Sequence, residues 1–348
     1  MLHLPIADTY TSAWALLLLG FTVGVLGGFF GIGGAFMVTP ALNIFGFPMA
    51  YAVGTDIAHI FGKSIVSTFK HALLRHVCWI YGILIGLTGM LGVSLGKQLI
   101  MYLERIGRVD TYVRVVYILL LVSIGGYMIW EYIRWSRNKD RREEGAHHEE
   151  TSRLALFFQK VRLWPMIPSP LTGIRMSFWV LVGLGVFTGW VSGFLGVGGG
   201  FVRVPMMVYL LGFPTVVAVG TDLLAIVISG SWGAYTYATA GRVELMAACV
   251  MLLGAAVGAQ LGALATAFVQ GMRIRLLFAV TVLLAAVGVI LKQYKLSLVA
   301  GVLMLGSATA LTAIVMALFM AGYVARRRAL AAARAAMVPE TAGESGGR

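Results

Sequence analysis

Charge is almost absent from long stretches of this chain: 12–47, 77–96, 115–130, 176–202, 243–268, 276–291 and 296–324. Apolar runs of about 18 residues or more are read as membrane spans. A backbone inside a bilayer must satisfy its own hydrogen bonds, and alternation with a period of two is missing, so the spans are expected to be helices. Only 12% of residues are charged, against about 25% in soluble domains. Two shorter segments, 52–69 and 216–238, fit less cleanly because they carry charges. The fold class predicted is an all-α polytopic membrane protein.

The formal net charge is +13, but its placement argues against nucleic acid. Nine Lys and Arg fall in the polar stretch 133–175, and five follow residue 320. Basic segments at helix ends mark cytoplasmic loops. The centre of the stretch, SRNKDRREEGAHHEE, reads as a flexible linker. The following LALFFQKVRLW is amphipathic and basic, which suits a membrane surface. His147 and His148 have no partners at metal-ligand spacing and read as solvated. Cys78 and Cys249 form neither a disulfide framework nor a zinc site, and read as small buried apolar groups. No Lys or Arg precedes the first apolar run, so it is expected to remain as a helix rather than be cleaved. Neither cofactor nor metal is implied.

Two blocks occur twice. GFFGIGGAFMVTP (28–40) and GFLGVGGGFVRVP (193–205) share seven of thirteen residues, and GFPMAYAVGTD (46–56) and GFPTVVAVGTD (212–222) share eight of eleven. Matches of Gly, Pro, Thr and Asp in register identify an internal repeat. The domains expected are a first repeat (1–132), a charged linker (133–175), a second repeat (176–292), an extra C-terminal helix (293–324) and a basic tail (325–348). A start without Lys or Arg is expected outside, and a basic linker and tail in the cytoplasm. That requires an odd number of crossings per half, although each half has four apolar blocks. One block in each half should be split or fail to cross, and the glycine-rich segments are the obvious places. Odd repeats run in opposite directions, an inverted architecture common in transporters.

GGFFGIGG puts five glycines in eight residues inside an apolar run, and SGFLGVGGG repeats the pattern. Irregular backbone in a membrane is tolerated only where protein buries it or where it lines a cavity. Free N–H groups at a helix start suit an anion; tight helix packing is the alternative. A dinucleotide loop is excluded, because the flanking strand and ribose-binding acid are missing. Asp56 and Asp222 are the acids expected deep in the bilayer, where a carboxylate is a functional candidate. Spacings of three and four place His59, Lys63, Ser67 and Lys70 on the face of Asp56. The second half offers Asp222, Ser229 and Thr236 without the cations, so Asp222 reads as the better proton carrier. The alternative for each Asp is a cap on its own helix, since Gly-Thr-Asp can start one. The Gly-Phe-Pro turns read as breaks before the next helix. Trp79, Trp130, Trp135, Trp164 and Trp179 flank apolar runs as interfacial anchors.

With its two copies of the glycine motif, GFP turn and AVGTD, and with YATAGRVE at 237–244, the chain resembles the TauE/SafE family of sulfite and organosulfonate exporters. The resemblance covers most of 12–290. It implies a multi-pass inner-membrane protein exporting a small sulfur-containing oxyanion such as sulfite or sulfoacetate. The candidate substrate site is Gly31, Gly33, Gly34, Thr55, Asp56, His59, Lys63, Gly196, Gly198, Gly199, Gly200, Arg203, Thr221 and Asp222. Partners expected are the anion and the lipid bilayer, with a homo-oligomer also compatible. No P-loop is present, so direct ATP drive is not expected. An anion channel with the same site is the first rival; an intramembrane enzyme, resting on His59 and Lys63, is the weaker one.

Overall fold

The computed structural model describes residues 2–30, 35–137, 163–265, 272–294 and 296–336. Eleven α-helices occur among them. The first half holds α1 (Ala13–Phe30), α2 (Val38–Ile44), α3 (Met49–Leu73), α4 (Trp79–Arg105) and α5 (Val109–Arg137). The second holds α6 (Phe178–Leu195), α7 (Gly200–Tyr209), α8 (Thr215–Thr239), α9 (Leu245–Ala265) and α10 (Met272–Gln293), and α11 (Ser297–Ala336) follows. Eight of these are long and apolar enough to cross a membrane. The protein is therefore an all-α multi-pass membrane protein. α3 falls outside the eight because of its charges, yet its 25 residues reach about 37 Å.

The first apolar block of each half is the one that splits. Instead of one helix through 12–47, α1 ends at Phe30 and the chain resumes in the short α2; α6 likewise ends at Leu195 before α7. Pro48 and Pro214 then precede α3 and α8, as the turn motifs require. Two short antiparallel hairpins were not expected: β1 (Leu2–Leu4) with β2 (Thr9–Thr11), and β3 (Met166–Pro168) with β4 (Arg175–Ser177). Each leads directly into a split helix. The second hairpin, together with α5 reaching Arg137, gives regular structure to both ends of the stretch expected to be linker. The centre of that stretch, His147, His148 and most of the amphipathic segment lie outside the described residues.

Glycine contacts set the directions of the helices. Gly24 on α1 lies against Ala255 and Gly28 against Ala259, so α1 and α9 run parallel. Gly189 on α6 meets Gly89 and Gly193 meets Val93, so α6 and α4 are also parallel. The backbones approach so closely that a Cβ at Gly24 would sit 2.6 Å from the Ala255 carbonyl oxygen. Small residues permit this contact, which gains dispersion energy where lipid offers no hydrophobic drive. α3 and α8 are antiparallel: Gly233 meets Ile57, and Gly230 meets Phe61. α3 runs parallel to α9, with Gly62 against Leu252 and Thr55 Oγ1 accepting from Glu244 N–H at 3.0 Å. α8 runs parallel to α4, with Gly82 against Leu224 and Thr221 Oγ1 accepting from Cys78 N–H at 3.0 Å. Hence α1, α3 and α9 point one way, and α4, α6 and α8 the other.

These contacts recur at a shift of 165 or 166 residues. Gly54 against Arg242 matches Gly220 against His76, and the Glu244–Thr55 bond matches Cys78–Thr221. Phe36 and Phe201, both fully buried and 165 positions apart, stack on each other with centroids 5.1 Å apart. The split helices double back. Gly46, after α2, lies beside Thr9 of the hairpin before α1. Phe213, after α7, stacks on Tyr81, whose hydroxyl donates to Ile167 O in the hairpin before α6.

Two ends of the bundle follow from this. One gathers the N-terminal hairpin, the end of α4 and the turn between α8 and α9. There Arg242 pairs with Glu104 at 3.0 Å and donates to Tyr51. The other end gathers the start of α4, the hairpin before α6, and the ends of α5 and α7, where Tyr209 donates to Glu131 at 2.9 Å. The outer surface is apolar. Trp79, Trp130, Trp164 and Trp179 are exposed, and so is Cys249, contrary to its reading as a buried group; Cys78 is buried.

Candidate functional site

Asp56 and Asp222 do not start their helices. Each lies seven residues beyond its helix's first residue, two turns in, and each is fully buried. The own-helix cap is thereby overturned. The GFP proline had already started each helix, which left the Asp free to face a neighbour.

Asp56 reaches α2. Its Oδ2 accepts from Thr39 N–H at 3.1 Å and from the Thr39 hydroxyl at 2.8 Å. It therefore caps the first turn of the short helix, a role that lets a carboxylate offset orphan N–H groups. Its other oxygen, Oδ1, faces His59 Nδ1 at 3.6 Å, beyond hydrogen-bond length. His59 has no exposed surface, and Lys63 is 2% exposed. Ser67 and Lys70, farther along the same face, are only half-buried.

Asp222 reaches α7. Its Oδ1 accepts from Arg203 Nη1 at 2.9 Å, with both side chains sealed from solvent. Arg203 Nε donates to Thr188 Oγ1 on α6 at 2.9 Å, and that hydroxyl donates onward to Leu184 O. The helix face of Asp222 carries no cation, as read from the sequence, but the pairing with Arg203 removes the ground for reading Asp222 as the better proton carrier. Its cation comes from another helix, 19 residues back, where spacing along one helix cannot reveal it. Thr188 was missed altogether. Its only signal is a hydroxyl inside an apolar helix one turn before the glycine motif.

The glycine break holds this pair from the side. Gly198 and Gly199 adopt left-handed backbone, with φ of 67° and 78°. This is the irregular backbone predicted for the second motif. A side chain at Gly199 would start 2.7 Å from Arg203 Nη2, and one at Gly200 would collide with Asp222 Oδ2. Those two polar atoms, Nη2 and Oδ2, have no hydrogen-bond partner among the described residues. Gly196 lies against Thr39 and Val53, and Gly198 against Ile60, so the second break packs directly on the Asp56 cluster. Gly31, Gly33 and Gly34 lie outside the described residues. The hydroxyls of Thr55 and Thr221 accept from the turn before α9 and from the head of α4.

A narrow cleft lies toward the N-terminal end. Arg114 on α5 donates to Asn43 on α2 at 3.2 Å and to Gln293 on α10. With Lys292 it lines this cleft, which reaches Thr39 and Tyr117 and is constricted to about 10 Å³, room for about one water. A wider groove of about 520 Å³, lined by Lys97, Gln98 and Arg105, opens at the same end. Among the described residues, no three His, Cys, Asp or Glu side chains are grouped as metal ligands would be.

Residues 16–289 match the family model described as "Sulfite exporter TauE/SafE". The chain belongs to the TauE/SafE family. Among curated relatives, a Xylella fastidiosa (strain Temecula1) protein named "Probable membrane transporter protein" is 27% identical over 252 residues, covering 71% of this chain and 80% of its own. A Methanocaldococcus jannaschii protein of similar name is 28% identical over 231 residues, covering 65% of this chain and 72% of its own. The Bacillus subtilis relative YunE, also named a probable membrane transporter, is 25% identical over 258 residues, 71% and 86% respectively. No solved structure matches the chain. Family membership describes a TauE/SafE transporter rather than an enzyme.

Proposed function

We propose that this TauE/SafE protein is a secondary transporter that exports a small sulfur-containing oxyanion, such as sulfite or sulfoacetate, through a site between two inverted halves. Arg203 carries the reading. A guanidinium without solvent exposure is held by one carboxylate and one hydroxyl, and its remaining Nη2, packed against the glycine break, has no hydrogen-bond partner among the described residues. A buried cation is costly unless it has a task or a partner, and its planar fork suits oxyanions. The Asp56–Thr39 cluster, against which the same break packs, supplies the opposite wall.

The inverted relation rests on direction and recurrence. Counterparts α1 and α6, α3 and α8, and α4 and α9 point oppositely. Their contacts repeat at a shift of 165 or 166 residues, and Phe36 touches its own counterpart, as only a residue beside a two-fold axis can. Three helices of each half, α3–α5 and α8–α10, then cross, while α1–α2 and α6–α7 are hairpins of unequal helices. α11 makes a seventh crossing. The N-terminus faces outward, and the linker and tail lie in the cytoplasm of an inner-membrane protein. Rocking of one half against the other would expose the site to each side in turn.

The test is counterflow in proteoliposomes, with radiolabelled sulfite, thiosulfate, sulfoacetate and taurine. Trans-stimulated exchange of at least one of the three anions, with taurine as the zwitterionic control, is expected. Exchange of none refutes the anion reading; flux without trans-stimulation replaces the carrier by a channel.

A further inference from the structure

The two halves keep their aspartates but not the partners of those aspartates. Counterparts of His59 and Lys63 are Ala225 and Ser229; the counterpart of Arg203 is Val38, and that of Thr188 is Val23. One half therefore buries a permanent cation, and the other buries groups that can exchange a proton. We propose that Asp56 and His59, one turn before Lys63 on the same helix, form a proton-binding site that couples anion movement to protons, while Arg203 in the other half holds the anion. The proposal rests on the anion-transport reading above.

The geometry supplies both the site and its linkage. Asp56 Oδ1 and both His59 ring nitrogens lack hydrogen-bond partners among the described residues, all at full burial. Carboxylate and imidazole stand 3.6 Å apart, close enough for a proton to draw them into contact. Titratable groups buried at bilayer depth on one helix face are what proton relays are built from. Five other titratable groups on elements packed around α3 have partners of their own. Tyr117 on α5 donates to Phe36 O, and Tyr237 on α8 to Gly193 O. Asp222 on α8 pairs with Arg203, Glu104 on α4 with Arg242, and Glu244 at the head of α9 accepts from Ile6 and Ala7.

With carboxylate and ammonium both ionised, the cluster sums to zero. A proton passed from water to His59 Nδ1 forms one N–H bond, breaks one O–H bond and moves no electrons. The cluster then carries one positive charge, which favours an anion across the glycine break. It also competes for the carboxylate whose Oδ2 anchors α2 through Thr39, and Thr39 lies against Gly196 in the break that carries Arg203. Proton and anion therefore bind cooperatively and cross together. For a monovalent anion the step moves no net charge.

Proteoliposomes containing the pH dye pyranine, clamped by valinomycin and potassium and given an inward thiosulfate gradient, test this. The wild type should acidify its lumen in step with labelled thiosulfate. His59→Gln should lose acidification per thiosulfate accumulated; His59→Asn serves if the first variant does not fold. Thiosulfate uptake by the wild type without acidification overturns the proposal alone, as does unchanged acidification in the folded variant. No thiosulfate flux in the wild type removes this proposal and counts against the anion reading on which it rests.

Discussion

Breaking the Arg203–Asp222 pair from one side should be worse than deleting it. Arg203→Leu leaves the Asp222 carboxylate sealed in protein without its cation. Removing one partner of a buried pair costs about 3–5 kcal/mol, whereas replacing both by apolar groups is often neutral or better. The geometry here is one charge-assisted bond of 2.9 Å between side chains of zero exposure, plus the Thr188 hydroxyl, which loses its Nε–H donor. Thr188 still donates to Leu184 O, so its part should be small, about 1 kcal/mol. The double variant Arg203→Leu/Asp222→Leu should therefore recover most of the stability lost by Arg203→Leu, yet remain inactive in counterflow. Unfolding in detergent, followed by fluorescence-detected size exclusion, ranks the variants. If the single variant melts like wild type, or the double melts below the single, the pair is not the buried unit described. If the double variant transports normally, Arg203 does not hold the substrate.

Arg203→Gln should raise the transport KM for a divalent anion more than for a monovalent one; an equal rise would assign the residue to structure. Gly199→Ala forces a left-handed alanine, costing roughly 1–2 kcal/mol before its contact with Arg203 is counted, whereas Gly183→Ala, in open space on α6, should be neutral or stabilising by thermal melting. In a background lacking Cys78 and Cys249, cysteines at Gly173 and Arg328 should react with an impermeant maleimide from the same side, and one at Asp8 from the other. Arg114→Gln should raise KM for anion presented to the N-terminal end of oriented vesicles and leave the opposite side unchanged, because Arg114 lies toward that end.

Chemistry that lies along one helix or recurs in register was legible in the sequence. The glycine breaks, the proline starts of α3 and α8, and the shared burial of Asp56, His59 and Lys63 all belong to this class. Contacts between helices were not. Arg203 stood among the candidate site residues, but its bond to Asp222 joins α7 to α8, and the choice of Thr188 as second acceptor depends on the path of α6 beside them. The parallel pairing of α1 with α9 left one readable trace, glycines at 20, 24 and 28 matched by 185, 189 and 193. Period-four glycines announce a close helix contact without naming the partner. The hairpins before α1 and α6 are three-residue strands, too short for alternation to register. Asp56 was expected on a helix start and does sit on one, but it belongs to α2, because Thr39 rather than the Gly-Thr-Asp turn brings free N–H groups within reach.

Conserved framework and diverged chemistry occupy different layers of the same bundle. Contacts repeated at the shift of 165 or 166 residues involve glycine, small residues and backbone, where any added atom would collide, so neither half can change without the other. Five of the positions that differ between counterparts, 23 with 188, 38 with 203, 39 with 204, 59 with 225 and 63 with 229, belong to the groups around the two aspartates. For the carrier proposed above, symmetric packing would make the two open states alike in energy, as exchange between them requires. Symmetric chemistry would instead place like charges opposite each other at the centre, two arginines or two proton sites repelling across the Phe36–Phe201 stack. On the proposed reading, divergence at those five positions would give one half a fixed cation and the other an exchangeable proton. It would thereby let the halves differ in what they bind while remaining interchangeable in how they move.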